Sequence, residues 1–276
     1  MNRYPMRLSA YEKEVQRELE KWQHGDASFL VKALSWAMQP MDWVVERVVP
    51  ADVIDQASAA IEQFLSMLNN ASAWTFEPAD ILTEARERGL DVEDLKELRD
   101  EPIEKLDEIA RSFFNQNALL AAVEGGGTGL GGAVFIAADI PLLFGINLRL
   151  IQQIGASYGF ELRGPAFQPL VLSIFNVAAS NEQRSKNEAL REISVAAAAL
   201  ANNLEYKGRV TGTFRDQNRH LPREIAKNIL GRKIAQAIPI AGAAVGAGIN
   251  YWFTTETAET TYMLFRALYL ERKQRL

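Results

Sequence analysis

Six of the chain's eighteen glycines fall within residues 125–132, and this run is the first place to look for chemistry. Gly127, Gly129 and Gly132 fit the G-x-G-x-x-G spacing that cradles a dinucleotide pyrophosphate. That motif needs a strand before it, a helix after it and an acid about 20 residues further on. Twenty positions after Gly132 stands Gln152, and no second strand is legible there. A P-loop is excluded, because no Lys-Ser or Lys-Thr pair follows the glycines. Asp139 is the other candidate. It lies in the run Ala-Val-Phe-Ile-Ala-Ala-Asp-Ile-Pro, and a carboxylate among apolar neighbours must be paired, hydrogen-bonded or protonated. It can act structurally, capping a helix that restarts at Pro141 or accepting from Arg149 or Asn250. It can instead line a pocket with the glycine turn, which would make the chain a small-molecule-binding or enzymatic domain. His24 and His220 have no neighbours at metal-ligand or triad spacing. The absence of cysteine removes thiolate catalysis, thiolate metal sites and disulfides together. No catalytic residue, metal or cofactor is assigned on these grounds.

The elements that must carry these residues read as helices. Val53, Ile54, Ala57, Ile61, Phe64, Leu65 and Leu68 recur at intervals of three and four. Leu95, Leu98, Leu106, Ile109, Phe113 and Leu120 do the same, and so do Leu190, Ile193, Ala197, Leu200 and Leu204. Alternating strand-like runs are absent, so the fold class is all-α. Prolines 40, 50 and 78 break the first third, Asp52 is a plausible N-cap, and Gly89 ends the piece before it. Tyr158-Gly159 marks a helix end at which glycine takes the left-handed conformation. With no low-complexity linker, residues 1–276 are expected to form one domain. It divides into an N-terminal helical layer (1–76), acidic amphipathic helices (77–124) and a glycine-rich core (125–276).

Two stretches approach the length of a membrane span, residues 125–148 and residues 234–255. The first is uncharged except for Asp139, and the second carries no charge. Both repeat glycines at four-residue spacing: Gly127 and Gly131, then Gly242 and Gly246. Such small faces let two helices approach nearly backbone to backbone, so these stretches are expected to pack together at the centre of a bundle. The net charge of −5 conceals segregation. Residues 77–108 hold thirteen acids against five bases, and residues 207–233 hold eight bases against two acids. The basic block includes Arg215, Arg219, Arg223, Lys227, Arg232 and Lys233, and it directly precedes the uncharged second stretch. It can be a solvated face turned toward the acidic segment. It can also be a membrane-surface patch, where each base beside an anionic leaflet contributes on the order of 1 kcal/mol. The mildly acidic balance argues against nucleic acid as a partner. The N-terminus is charged and has no apolar core of a signal peptide, which suggests a cytoplasmic setting.

Three blocks together resemble the EcsC family. They are Gly126-Gly-Thr-Gly-Leu-Gly-Gly, then Asp139-Ile-Pro-Leu-Leu with Leu148-Arg-Leu-Ile-Gln-Gln-Ile, and Tyr158-Gly159. The later Ile238-Pro-Ile-Ala-Gly-Ala-Ala-Val-Gly-Ala-Gly-Ile-Asn, ending at Asn250, is similar to that family's C-terminal signature. The resemblance implies a bacterial helical protein whose namesake is encoded beside an ABC transporter implicated in secretion. It brings no catalytic assignments. It marks Gly127, Gly129, Asp139, Tyr158, Gly159, Gly242, Gly246 and Asn250 as signature positions. The expectation is a non-enzymatic accessory or regulatory protein, peripheral to the inner membrane through an anionic surface or a membrane protein.

Overall fold

The computed structural model describes residues 8–23, 51–70, 75–128, 133–162, 167–179, 221–233 and 242–275. Among them every regular element is helical, in agreement with the all-α expectation. In chain order these are α1 (Ala10–Gln23), α2 (Ala51–Asn70) and α3 (Pro78–Glu87), then a 3₁₀ turn (Leu95–Asp100). They continue with α4 (Ile103–Thr128), α5 (Ala133–Ser157), α6 (Gln168–Ala179), α7 (Leu221–Lys233) and α8 (Gly242–Arg275).

Local sequence accounts for several helix ends. Ser9 and Glu12 form a reciprocal capping box at the start of α1: the Glu12 amide donates to Ser9 Oγ (3.1 Å) and the Ser9 amide to Glu12 Oε2 (2.7 Å). Pro78 occupies the first turn of α3, where its missing N–H costs nothing. Gly89 (φ +80°) and Gly159 (φ +79°) take the left-handed conformation after α3 and α5, as their positions in the sequence suggest. The Asp52 cap is corrected: α2 begins at Ala51, so Asp52 lies inside the first turn, where its charge still favours the helix dipole.

Two other breakers do not break. Helix α4 runs on through Gly125, Gly126 and Gly127 to Thr128. Helix α5 continues past Pro141, so Asp139 does not cap a helix restarting there. An interior proline costs about 3 kcal/mol. The burial of Ile140, Leu143 and Phe144 on either side of it offsets that cost.

The core is organised around α8, which packs against α4, α5 and α6, while α2 and α7 close the far side on α5 and α6. Phe144 of α5, Phe175 of α6 and Phe253 of α8 meet in one aromatic cluster, with centroids 4.6, 5.7 and 5.8 Å apart. Side-chain contacts fix the register. Tyr269 donates to the Glu101 carbonyl, Arg266 pairs with Asp107, and Arg111 lies over the Tyr262 ring, so α4 and α8 are antiparallel. Phe144 meets Phe253 and Tyr158 meets Phe265, so α5 and α8 are parallel. Asn147 of α5 is fully buried and donates to Thr254 Oγ1 at 3.1 Å, the register-fixing amide expected of a polar residue on an apolar helix.

Candidate functional site

Of the signature residues, Tyr158 is the one the structure places among ionisable groups. Its hydroxyl donates to Asp107 Oδ1 at 2.5 Å. The other oxygen of Asp107 accepts from the Tyr11 hydroxyl at 2.8 Å and faces Arg266 Nε at 3.1 Å. That last contact is an ion pair without the alignment of a hydrogen bond. Asp107 and Arg266 are each about 1% exposed, among the most buried charged residues in the protein. Arg266 reaches outward with Nη1, 2.6 Å from Glu18 of α1, and its guanidinium stacks 4.7 Å above the Tyr262 ring. Arg111 covers the same ring at 5.5 Å. One carboxylate thus joins α1, α4, α5 and α8.

Electrostatics decide what this cluster can do. Burial and the Asp107 carboxylate push the Tyr158 hydroxyl well above its ordinary pKa. Burial and the bond to Asp107 raise Tyr11 to about 12, and burial with Asp107 raises Tyr262 further. Burial alone would lower Arg266, but Asp107, Tyr262 and Glu18 together hold it above the usual guanidinium range. The phenols are therefore neutral donors at physiological pH, not tyrosinate nucleophiles. Both oxygens of Asp107 are engaged, Oδ1 by the Tyr158 hydroxyl and Oδ2 by the Tyr11 hydroxyl and the Arg266 guanidinium, which makes the carboxylate the centre of the network. The arrangement is a charged interlock. Among the described residues no three acids or histidines are grouped to hold a metal ion.

The Tyr158-Gly159 pair has a second role, at the turn itself. The Gly159 amide donates to the Ala156 carbonyl and the Phe160 amide to the Gly155 carbonyl, both at 2.9 Å, closing the end of α5. The Gly159 carbonyl accepts from Arg99 Nε at 2.7 Å. A Cβ on Gly159 would sit 2.5 Å from Arg99 Cγ and 2.9 Å from both the Arg99 nitrogen and the Leu95 oxygen. Glycine is required there for its φ and for the closeness of the 3₁₀ turn. Arg272 completes the corner by donating to the Arg99 carbonyl at 2.6 Å and pairing with Asp100 at 2.7 Å.

Among the described residues, none of the remaining candidates is bonded to this cluster. Asn250 is buried in α8. Gly127, Gly242 and Gly246 lie within helices, but what surrounds them is outside the described residues, as are the side chain of Asp139 and the whole of Gly129 and Gly131. The glycine-turn pocket thus falls on ground the structure does not describe. Of the basic block, Arg223 is exposed and pairs with Asp55 of α2 at 3.3 Å. Helix α7 packs on α2 and α6. Arg215 and Arg219 lie outside the described residues, and Lys227 is half-buried. Arg232 and Lys233 end α7, with side chains not described.

Asp107 is the residue that sequence reasoning missed. It is one of thirteen acids in residues 77–108, a segment whose pattern reads as acidic amphipathic helices. A signal was present: it stands four after Ile103 and three before Ala110, on the buried stripe of α4.

Comparison with known proteins places the molecule. The chain is 26% identical over 179 residues to the uncharacterized protein YdbA of Bacillus subtilis (strain 168), covering 63% of this chain and 61% of YdbA. It is 27% identical over 158 residues to Protein EcsC of the same organism, covering 57% of this chain and 61% of that protein. The matches therefore span about three fifths of either relative. No solved structure matches. The model of the EcsC protein family matches residues 13–270, and with a match of that extent the chain belongs to the EcsC family.

Proposed function

We propose that this chain is a non-enzymatic accessory protein that docks peripherally on an anionic membrane surface, next to a membrane partner such as an ABC transporter. The observation that carries this reading is a segregation of charge along the bundle. Residues 112–123 of α4 and 242–255 of α8 carry no charge, and residues 133–148 of α5 carry only Asp139. The opposite end holds Glu104, Lys105, Asp107, Glu108 and Arg111 of α4, and Glu271, Arg272 and Lys273 of α8.

The uncharged end is also where large apolar side chains meet solvent. Leu119 is 67% exposed, Leu120 41%, Leu142 43% and Tyr251 44%. The antiparallel α4–α8 register and the parallel α5–α8 register bring all four to one level along the bundle. Exposed apolar groups grouped in this way mark contact surfaces, and tyrosine suits the headgroup region of a bilayer. Among the described residues no helix is long and apolar enough to cross a membrane, which favours docking over spanning. The basic block supports an anionic surface as the target, because α7 leads toward the uncharged start of α8. The transporter link is supported by the family alone.

Flotation with vesicles of phosphatidylglycerol and phosphatidylethanolamine tests the reading. The chain is expected to float with the anionic vesicles, to be released by salt, and to lose at least tenfold in binding when Leu119 and Leu120 are both changed to Glu. A chain that stays at the bottom of the gradient with every vesicle overturns the membrane reading.

A further inference from the structure

We infer that the surface of α4 and α8 beneath α1 is a helix-binding groove, occupied in cis by α1, and that α1 can leave it while the bundle stays folded. The contact has the form of a ligand in a socket. Tyr11, Val15, Glu18, Leu19 and Trp22 recur on one face of α1, at the spacing with which an amphipathic helix lies in a groove. Val15 and Leu19 are the buried apolar anchors, and Leu8, Tyr11 and Trp22 pack partly against the core. Three polar fastenings join them: Tyr11 to Asp107, Glu18 to Arg266 and Glu12 to Lys273. The outer face, with Lys13, Glu14, Gln16, Arg17, Glu20 and Lys21, is exposed.

Two features bear on the release of α1. The helix has fourteen residues, a length at which an isolated helix is marginal in water, so docking supplies its order. The socket is complete without it. If α1 leaves, Asp107 keeps the Tyr158 hydroxyl on one oxygen and Arg266 on the other, and Arg266 keeps its stack on Tyr262. No buried charge loses its last partner, which is the event that makes removal of a buried ion costly. The vacated groove would present Arg266 and Lys273 to carboxylates and an Asp107 oxygen to a hydroxyl. Its recognised ligand is a helix with a phenol at one position, an aliphatic residue four later, and a carboxylate and an aliphatic residue seven and eight later. Within this chain α1 has that pattern, and the occupant is α1.

A fluorescent peptide of residues 8–23, added to the full chain and followed by anisotropy, tests the exchange. Val15→Ala with Leu19→Ala in the chain weakens the internal competitor and leaves the socket intact. That variant is expected to bind the peptide at least tenfold more tightly than the unchanged chain does. Glu18→Gln in the peptide is expected to weaken binding several-fold, and a scrambled peptide to give none. Hydrogen exchange on the unchanged chain is the second measurement: α1 amides are expected to exchange at least tenfold faster than those of α8. Failure of the double variant to bind the peptide, or loss of its cooperative melt, overturns the proposal. So does equal protection of α1 and α8.

Discussion

Asp107 shows how one carboxylate can fix the meeting of four helices. Removing it would leave Arg266 buried without its main partner, so Asp107→Ala is expected to destabilise by about 3–5 kcal/mol, measured by urea unfolding. Gly159→Ala combines a left-handed φ with a clash against the Arg99 backbone, and a loss of about 2–3 kcal/mol is expected in the same measurement. The tyrosines give a pH signature. Burial raises Tyr269 to about 12, as burial and Asp107 do for Tyr11. These groups hold their protons in the folded state when an unfolded chain would lose them near 10. Their contribution is therefore complete below about pH 10 and declines as pH rises toward 12. Tyrosinate absorbance should lag behind that of the unfolded chain over this window, and Tyr11→Phe with Tyr269→Phe should abolish part of the lag. A wild-type titration that overlays the unfolded one would refute the assignment.

Among the helices, the pattern of three and four was enough to read the class and the course of α2; the stripe from Leu95 to Leu120 divides into the 3₁₀ turn and α4, and Leu120 is exposed. The left-handed glycines were legible too, because Gly89 and Gly159 each follow a periodic run. Continuation through Gly125–Gly127 and Pro141 was not, since glycine and proline are the residues that ordinarily end a helix. That Asp107 is the partner of Arg266 was not legible, because sequence distance hides that α4 and α8 run antiparallel. The capping box on α1 was likewise passed over, although Ser9-x-x-Glu12 is its plain signature. Ser9→Ala is expected to cost about 1 kcal/mol. Faster hydrogen exchange confined to α1 would check it, and a loss spread evenly over the bundle would contradict it.

On the scale of the whole molecule, the bundle has two unlike ends. Ion pairs and tyrosine hydroxyls hold one, and apolar packing with few charges holds the other. High salt should therefore weaken the two ends unequally. Exchange at α1 and the 3₁₀ turn is expected to rise between 0.05 and 1 M salt (about 10 to 3 Å of Debye screening beyond 0.1 M), with little change in the middle of α5. A uniform response along the bundle would argue against this division.

Helix α8 carries a further consequence, one of timing. It is the last described helix in sequence and the one against which α1, α4, α5 and α6 all pack. During synthesis the earlier helices emerge from the ribosome before their common partner exists. Until residues 242–275 follow, α4, α5 and α6 have one another and the earlier helices to pack on but lack the helix that all three share, and the faces it covers stay open. Closure must then join Arg266 to Asp107 and to Glu18, the latter 248 residues away, contacts of high sequence separation that slow folding for an all-helical protein.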